Sequence, residues 1–179
     1  HGCWLDIGCG AGALAVEWAR SGRSGQYLGL DFSAELLAEA RQVTAGLGGD
    51  LEIRYAQANL LDPHWAAPAL SQPWDGVLCF AALHHIPSAE LRLSILRQAR
   101  SLLPAGGQFI HSEWQFQHSS KLMSRRQPWL AAGLEDADME PGDTLLDWRF
   151  ALPGQPEQHG LRYVHLFSLD ELDQLAEAS

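Results

Sequence analysis

The stretch Asp6-Ile7-Gly8-Cys9-Gly10-Ala11-Gly12-Ala13 constrains this chain more than any other. An apolar run over residues 3–7 stops at Gly8. An amphipathic stretch over 11–20 follows at once, carrying Leu14, Val16, Trp18 and Ala19. Glycines at alternate positions between a strand and a helix make a turn in which a Cβ would obstruct both the tight bend and the close approach of a ligand. Main-chain N–H groups and the positive helix end then face whatever sits above the turn, an arrangement suited to a nucleotide-like ligand.

The next hundred residues repeat this unit. Strands are expected over 26–30, 51–57, 75–80 and 108–112, alternating with helices over 33–45 and 89–103. Ser33 is placed to cap the first of these helices and Gly46 to close it. The second puts Leu91, Ile95, Leu96, Ala99, Leu102 and Leu103 on one face, and Pro104-Ala105-Gly106-Gly107 turns the chain into the last strand. Residues 62–74, with three prolines and two tryptophans, read as a loop with at most one helical turn. This βαβα order predicts an α/β fold, a doubly wound, mostly parallel sheet of Rossmann-like type. The alternation ends after residue 112. One helix is expected around 119–130 within an irregular 114–160 region, and Ser168-Leu169-Asp170-Glu171 is a capping box opening a final helix. The chain reads as one domain, with a cofactor-binding core over 1–113 and a variable acceptor-side region over 114–179.

A chain of 179 residues can bury a real core without disulfides. Three scattered cysteines, Cys3, Cys9 and Cys79, fit a reducing compartment and an expected cytoplasmic location. No apolar run reaches the ~18 residues needed to span a membrane. The net charge of −10 is uneven: residues 1–134 hold ten basic and eleven acidic side chains, residues 135–179 two and eleven. Acid on the acceptor side disfavours RNA held by bulk charge unless a partner supplies basic surface. The chain starts at His1 and stops within a predicted helix, so the full protein is expected to extend in both directions. Without that extension, the strand over 108–112 would be a long apolar edge.

Asp31 ends the second strand, nineteen residues after Gly12. A carboxylate there can accept both hydrogen bonds of a ribose diol; the alternative is a turn or helix-capping aspartate. The loop reads GxGxG where a dinucleotide site usually has GxGxxG. Asp6, two residues before the first glycine, is a poor neighbour for a pyrophosphate and a good one for the ammonium of an amino-acid moiety. That favours S-adenosyl-L-methionine over NAD.

With these residues in place, the chain resembles the class I S-adenosylmethionine-dependent methyltransferases of type 11-like sequence, over about residues 3–112. Asp6 to Ala13 matches the first motif, Gly29-Leu30-Asp31-Phe32-Ser33 the second, and Ala58-Asn59-Leu60 the adenine-side motif. Asp75 to Ile86, with Leu83-His84-His85-Ile86, matches the fourth-strand motif, and Leu103 to Gly107 the turn before strand five. The resemblance implies that Gly8, Gly10 and Gly12, with Cys9 between them, approach the methionine and ribose, and that Asp31 binds the ribose hydroxyls. It places Asn59, where the family has aspartate more often, at the adenine amino group, and Phe32 and Leu60 about the adenine ring. Ordinary core packing is the alternative for those two. Ala81 and Ala82 would line the path of the methyl group. A narrower resemblance joins Trp114-Gln115-Phe116-Gln117 and Leu161-Arg162-Tyr163-Val164-His165-Leu166-Phe167 to tRNA wobble-uridine methyltransferases that esterify a 5-carboxymethyl group; Val164 stands where they carry a second tyrosine.

The resulting expectation is methyl transfer to a small-molecule acceptor, a carboxylate among the candidates, with tRNA as the alternative acceptor. A nicotinamide-dependent oxidoreductase and a non-catalytic cofactor-binding subunit are the other readings. His84 and His85 are the catalytic candidates, and neighbouring residues point different ways, so one at most faces the acceptor; a structural histidine is the alternative. Trp114, Arg162, Tyr163 and His165 are the acceptor-binding candidates, Arg162 as a carboxylate fork. No metal site is expected, since Cys79, His84 and His85 lack ligand spacing.

Overall fold

A computed structural model describes residues 2–150, 154 and 156–179. Five parallel strands form the main sheet: β1 (Gly2–Ile7), β2 (Gly25–Asp31), β3 (Leu51–Gln57), β4 (Gly76–Phe80) and β5 (Gln108–Ser112), in the order β3-β2-β1-β4-β5. The strand order reverses between β1 and β4, and this opens a crevice at their carboxyl ends. Helices α1 (Ala13–Arg20), α2 (Ala34–Thr44) and α3 (Ala89–Ser101) are the crossovers. Each strand lies within a residue or two of the expected range.

The strand register places the core. Leu28, Leu5, Val77 and Phe109 fall in one row across four strands, and Leu30 and Ile7 in the next. These pack with Ile95, Leu96 and Ala99 of α3 in the largest apolar cluster. Ala15 of α1 covers the opposite face with Tyr27 and Leu51. Trp18 extends that layer edge-to-face against Trp4 and Tyr27. Ser33 caps α2 by accepting the Leu36 N–H at 3.2 Å. β5 is one edge of the sheet, β3 being the other, and Ile110 on β5 is 41% exposed.

The region after β5 departs from expectation. The helix expected over 119–130 shrinks to α4 (Ser120–Met123), followed by a second, antiparallel sheet of β6 (Arg126–Gln127), β7 (Asp143–Phe150) and β8 (Gln158–His165). Phe116, Leu146 and Val164 form their own buried cluster, so this hairpin has apolar anchorage of its own. α5 (Leu169–Ala178) opens as the capping box predicts, with Ser168 Oγ accepting the Glu171 N–H at 3.1 Å. Among the described residues no helix is long and apolar enough to cross a membrane.

Candidate active site

The glycine turn carries the chain from β1 into α1. Gly8 sits at φ +79°, and a Cβ there would meet the Ala82 methyl at 2.5 Å, so the turn and the end of β4 approach as closely as glycine allows. Gly12, at φ +78°, is the N-cap of α1, and a Cβ on it would lie 2.7 Å from the Tyr55 hydroxyl. A Cβ on Gly10 would meet nothing within 4 Å, so the space over the middle of the turn is open.

Asp31 ties the turn to the second strand. Its Oδ2 accepts the Gly10 N–H at 2.9 Å and its Oδ1 the Ser33 N–H at 2.9 Å. Both bonds aim the carboxylate and leave each oxygen a lone pair, which is what a ribose diol requires. Asp31 lines a cleft of about 650 Å³ together with Gly8, Phe32, Asn59 and Leu60. Phe32 is 70% exposed, so it is a wall of the cleft and no core residue, whereas Leu60 also packs on the main core. Asn59 Oδ1 accepts the Leu61 N–H at 3.0 Å, which leaves its amide nitrogen as a free donor. Asp6, Cys9, Gly10 and Gly12 do not line the cleft; they build the turn whose first glycine does.

Asp6 is buried behind the turn and accepts a short hydrogen bond from the Tyr27 hydroxyl. Burial pushes its carboxyl up to about 6; the Tyr27 bond opposes the shift and the Asp31 charge adds to it. Burial, with Asp6 and Asp31 nearby, likewise pushes the Cys9 thiol far up, so it is no nucleophile. An acid with a raised folded value favours folding when protonated; that contribution is complete below the unfolded value of 3.8 and is lost as pH rises through about 6. Asp6→Asn is therefore expected to stabilise the ligand-free chain above pH 6 by on the order of 3 kcal/mol. The gain should vanish near pH 4, as urea midpoints against pH will show.

The far end of the cleft is lined by Ala81, Ala82, His85, Arg162 and Tyr163. Ala81 holds φ +54°, a conformation a non-glycine residue adopts at a cost of order 1 kcal/mol, and its N–H donates to Ser112 O at 3.0 Å. The two histidines of the 3-10 turn Leu83–His85 separate as expected. His85 faces the cleft, and its Nδ1 lies 3.0 Å from the Tyr163 carbonyl oxygen. A carbonyl only accepts, so Nδ1 carries the proton and Nε2 keeps its lone pair. Burial holds His85 below the usual histidine value, opposed by the Tyr163 carbonyl and Glu113 and helped by the neighbouring His84 ring and Arg162 guanidinium. It is neutral at pH 7.

His84 is fully buried and lies outside the cleft wall, a correction to its place among the catalytic candidates. Its strand-end neighbour points into the cleft while its own ring turns into the core. Trp114 and His165 also lie off the cleft wall. Trp114 packs against the His84 and His85 rings and carries the Arg162 guanidinium 5.6 Å above its own ring. Arg162 has no ion pair among the described residues. His165 is buried, with Nδ1 2.7 Å from Asp143 Oδ1 and Nε2 2.9 Å from both Glu171 oxygens. Glu140, Asp143 and His165 are the one set with metal-ligand closeness among the described residues. Arg92 Nη2, 2.8 Å from Glu140 Oε2, already supplies the positive charge there.

Sequence reasoning missed Glu113. It directly follows β5, is buried, and bonds both His84 and His111. The usable signal was the i, i+2 spacing of His111 and Glu113 at a strand end, which sets both side chains on one face.

Residues 5–109 match the Methyltransferase domain family. The ubiquinone biosynthesis O-methyltransferase of Salmonella arizonae is 33% identical over 120 residues, 67% of this chain and 46% of that protein. The Serratia proteamaculans protein of the same name is 36% identical over 108 residues, 60% of this chain and 41% of its own. The chain thus spans less than half the length of these curated relatives. In fold it is similar to S-adenosylmethionine-dependent methyltransferases from Methanosarcina mazei (TM-score 0.68, 20% identity, 99% of this chain and 78% of that one) and Clostridium acetobutylicum (0.66, 14%, 98% and 71%). The chain belongs to the methyltransferase-domain family and has the fold of the class I S-adenosylmethionine-dependent methyltransferases. The nicotinamide alternative gains no support.

Proposed function

We propose that this chain methylates an oxygen of a small, negatively charged acceptor. One observation carries the reading: a single cleft runs from Asp31 and Asn59 at one end to His85 and an unpaired Arg162 at the other. When bound, the cofactor supplies an activated methyl group for in-line displacement. The residues of the chain hold and aim. Asp31 takes the ribose hydroxyls, Phe32 and Leu60 flank the adenine, and the second lone pair of Asn59 Oδ1 accepts from the adenine amino group. Asp6, buried behind the turn, braces it through the Tyr27 hydroxyl. Arg162, charged at neutral pH although burial lowers its value, takes the anionic group of the acceptor in a planar fork. The methyls of Ala81 and Ala82 keep the path open. His85 Nε2 accepts the proton of a hydroxyl acceptor; a carboxylate acceptor is already ionised and needs only orientation. The relatives named for O-methylation support an oxygen acceptor.

The test has two stages. Calorimetry with S-adenosylhomocysteine should show binding, and no binding at millimolar ligand would sink the reading. Methyl-labelled S-adenosylmethionine is then offered with a panel of small hydroxy acids and carboxylic acids, and separately with tRNA. Label in the small-molecule fraction is expected. Label in tRNA would overturn the small-acceptor assignment, and binding without turnover would leave a cofactor-binding subunit. With a hydroxyl acceptor, His85→Gln should lower kcat on the order of 100-fold or more while leaving S-adenosylhomocysteine affinity unchanged. With a carboxylate acceptor the kcat loss should be small.

A further inference from the structure

The geometry points to Glu113 as the positioning residue of this site, acting on His85 through His84. The inference rests on the proposed role of His85. Glu113 Oε2 accepts twice from His84, the main-chain N–H at 3.1 Å and the ring Nδ1 at 2.7 Å, while Oε1 lies 2.9 Å from His111 Nδ1. Burial would push this carboxyl up, but the hydrogen bonds from His111 and His84 and the electrostatic pull of those rings outweigh it and hold it below the ordinary glutamate value. It is therefore ionised and can only accept, so both histidines present Nδ1–H to it.

This clamp acts on the acceptor end of the cleft in two ways. The turn Leu83–His85 is short, held within itself by His85 N–H to Ala82 O and Ile86 N–H to Leu83 O, each at 3.0 Å. Glu113 is the side-chain anchor binding its middle residue by main chain and ring together, and so fixes the direction in which His85 leaves. The His84 ring then lies 4.4 Å, edge-on, from the His85 ring and 5.0 Å from that of Trp114, which supports Arg162. Three aromatic rings and one guanidinium thus take their places from one carboxylate. His84 Nε2 is buried with no hydrogen-bond partner among the described residues. A buried ring left half-satisfied is costly, and the ionised clamp on its other nitrogen offsets that cost.

Histidine-labelled protein gives a readout that loss of stability alone would not move, because long-range proton–nitrogen correlation reports which ring nitrogen carries the proton. His84→Gln and His85→Gln assign the signals. In the wild type, His85 should show one tautomer, with the proton on Nδ1. In Glu113→Ala it should drift towards the mixed pattern of a free imidazole, while S-adenosylhomocysteine affinity stays within about twofold. kcat with an identified acceptor should then fall on the order of 100-fold, as expected for a misplaced group. An unchanged His85 pattern in Glu113→Ala overturns the proposal.

Glu113→Gln covers the case in which the alanine variant does not fold. Its amide oxygen can still serve His84, but its amine must face His111 and force the His111 proton onto Nε2. Inversion of His111 with His85 unchanged supports the clamp, and an unaltered His111 overturns it. Failure of the wild type to bind S-adenosylhomocysteine would instead refute the cofactor reading, with the histidine pattern still legible.

Discussion

Asp31→Ala is expected to weaken S-adenosylhomocysteine binding by at least about 100-fold, measured by calorimetry near pH 7.5. Two charge-assisted hydrogen bonds to a ribose diol are worth roughly 1.5–3 kcal/mol each, and alanine removes both. The same substitution frees the Gly10 and Ser33 N–H groups that Asp31 now accepts, which loosens the turn over which the ligand must lie. Asp31→Asn separates the two effects. It keeps one acceptor oxygen and nearly the same shape, so the turn is less disturbed, but its amine cannot accept, and an intermediate loss of affinity is expected. Equal affinity in all three proteins would refute the ribose assignment and return Asp31 to a turn-forming role. Binding lost equally in both variants would place its importance in the carboxylate charge.

The features that can be read along the chain are those that depend on neighbours in sequence. The glycine turn, Asp31 at the end of β2, the Ser33 and Ser168 caps and the apolar face of α3 each arise within about a dozen residues, and the structure keeps them, except that Leu91 at the start of that face is exposed and Arg92 is buried in its place. β7 was hidden because it sits among acids, prolines and glycines. Both Leu145 and Leu146 are buried, so strict alternation fails at its centre. Its stability comes from pairing with β8 and from Phe116, a contact no local period reveals. The separation of His84 from His85 was foreseeable in principle, since adjacent residues diverge, but the sequence does not say which one enters the cleft. That is decided by Glu113, 29 residues beyond His84, which arrives only because β5 pairs with β4. The acidity of residues 135–179 has a partly structural destination too. Glu140, Asp143 and Glu171 are gathered around Arg92 and His165 instead of facing solvent as a uniform charged surface.

Arg92→Met is expected to be the most destabilising of the substitutions discussed, at about 3–5 kcal/mol. Arg92 is fully buried on α3, in a position that helical periodicity alone would leave unremarked. Its Nη1 donates to Ile86 O at 3.0 Å and to the Tyr163 hydroxyl at 3.4 Å, and its Nη2 to Glu140 Oε2 at 2.8 Å and Glu171 Oε1 at 3.3 Å. Glu140 in turn accepts the Ala89 N–H at the start of α3, and the Tyr163 hydroxyl donates to Asp143 Oδ1 at 2.5 Å. One cation therefore joins α3, α5 and the β7–β8 hairpin. Methionine fills similar volume but leaves carboxylates without their counter-charge, and that uncompensated charge dominates the loss. At roughly 2–4 °C per kcal/mol for a chain of this size, Tm should fall by about 6–20 °C. Combining Arg92→Met with Glu140→Gln and Glu171→Gln should recover part of that loss, since neutral amides no longer need the cation. A Tm within about 2 °C of wild type for Arg92→Met alone would show that the network contributes little. The hairpin it fastens carries Arg162 and Tyr163, so in the folded fraction the variant should keep its affinity for S-adenosylhomocysteine and lose methyl transfer. That division is expected if α3 holds the acceptor wall in place while the glycine turn and Asp31 hold the cofactor.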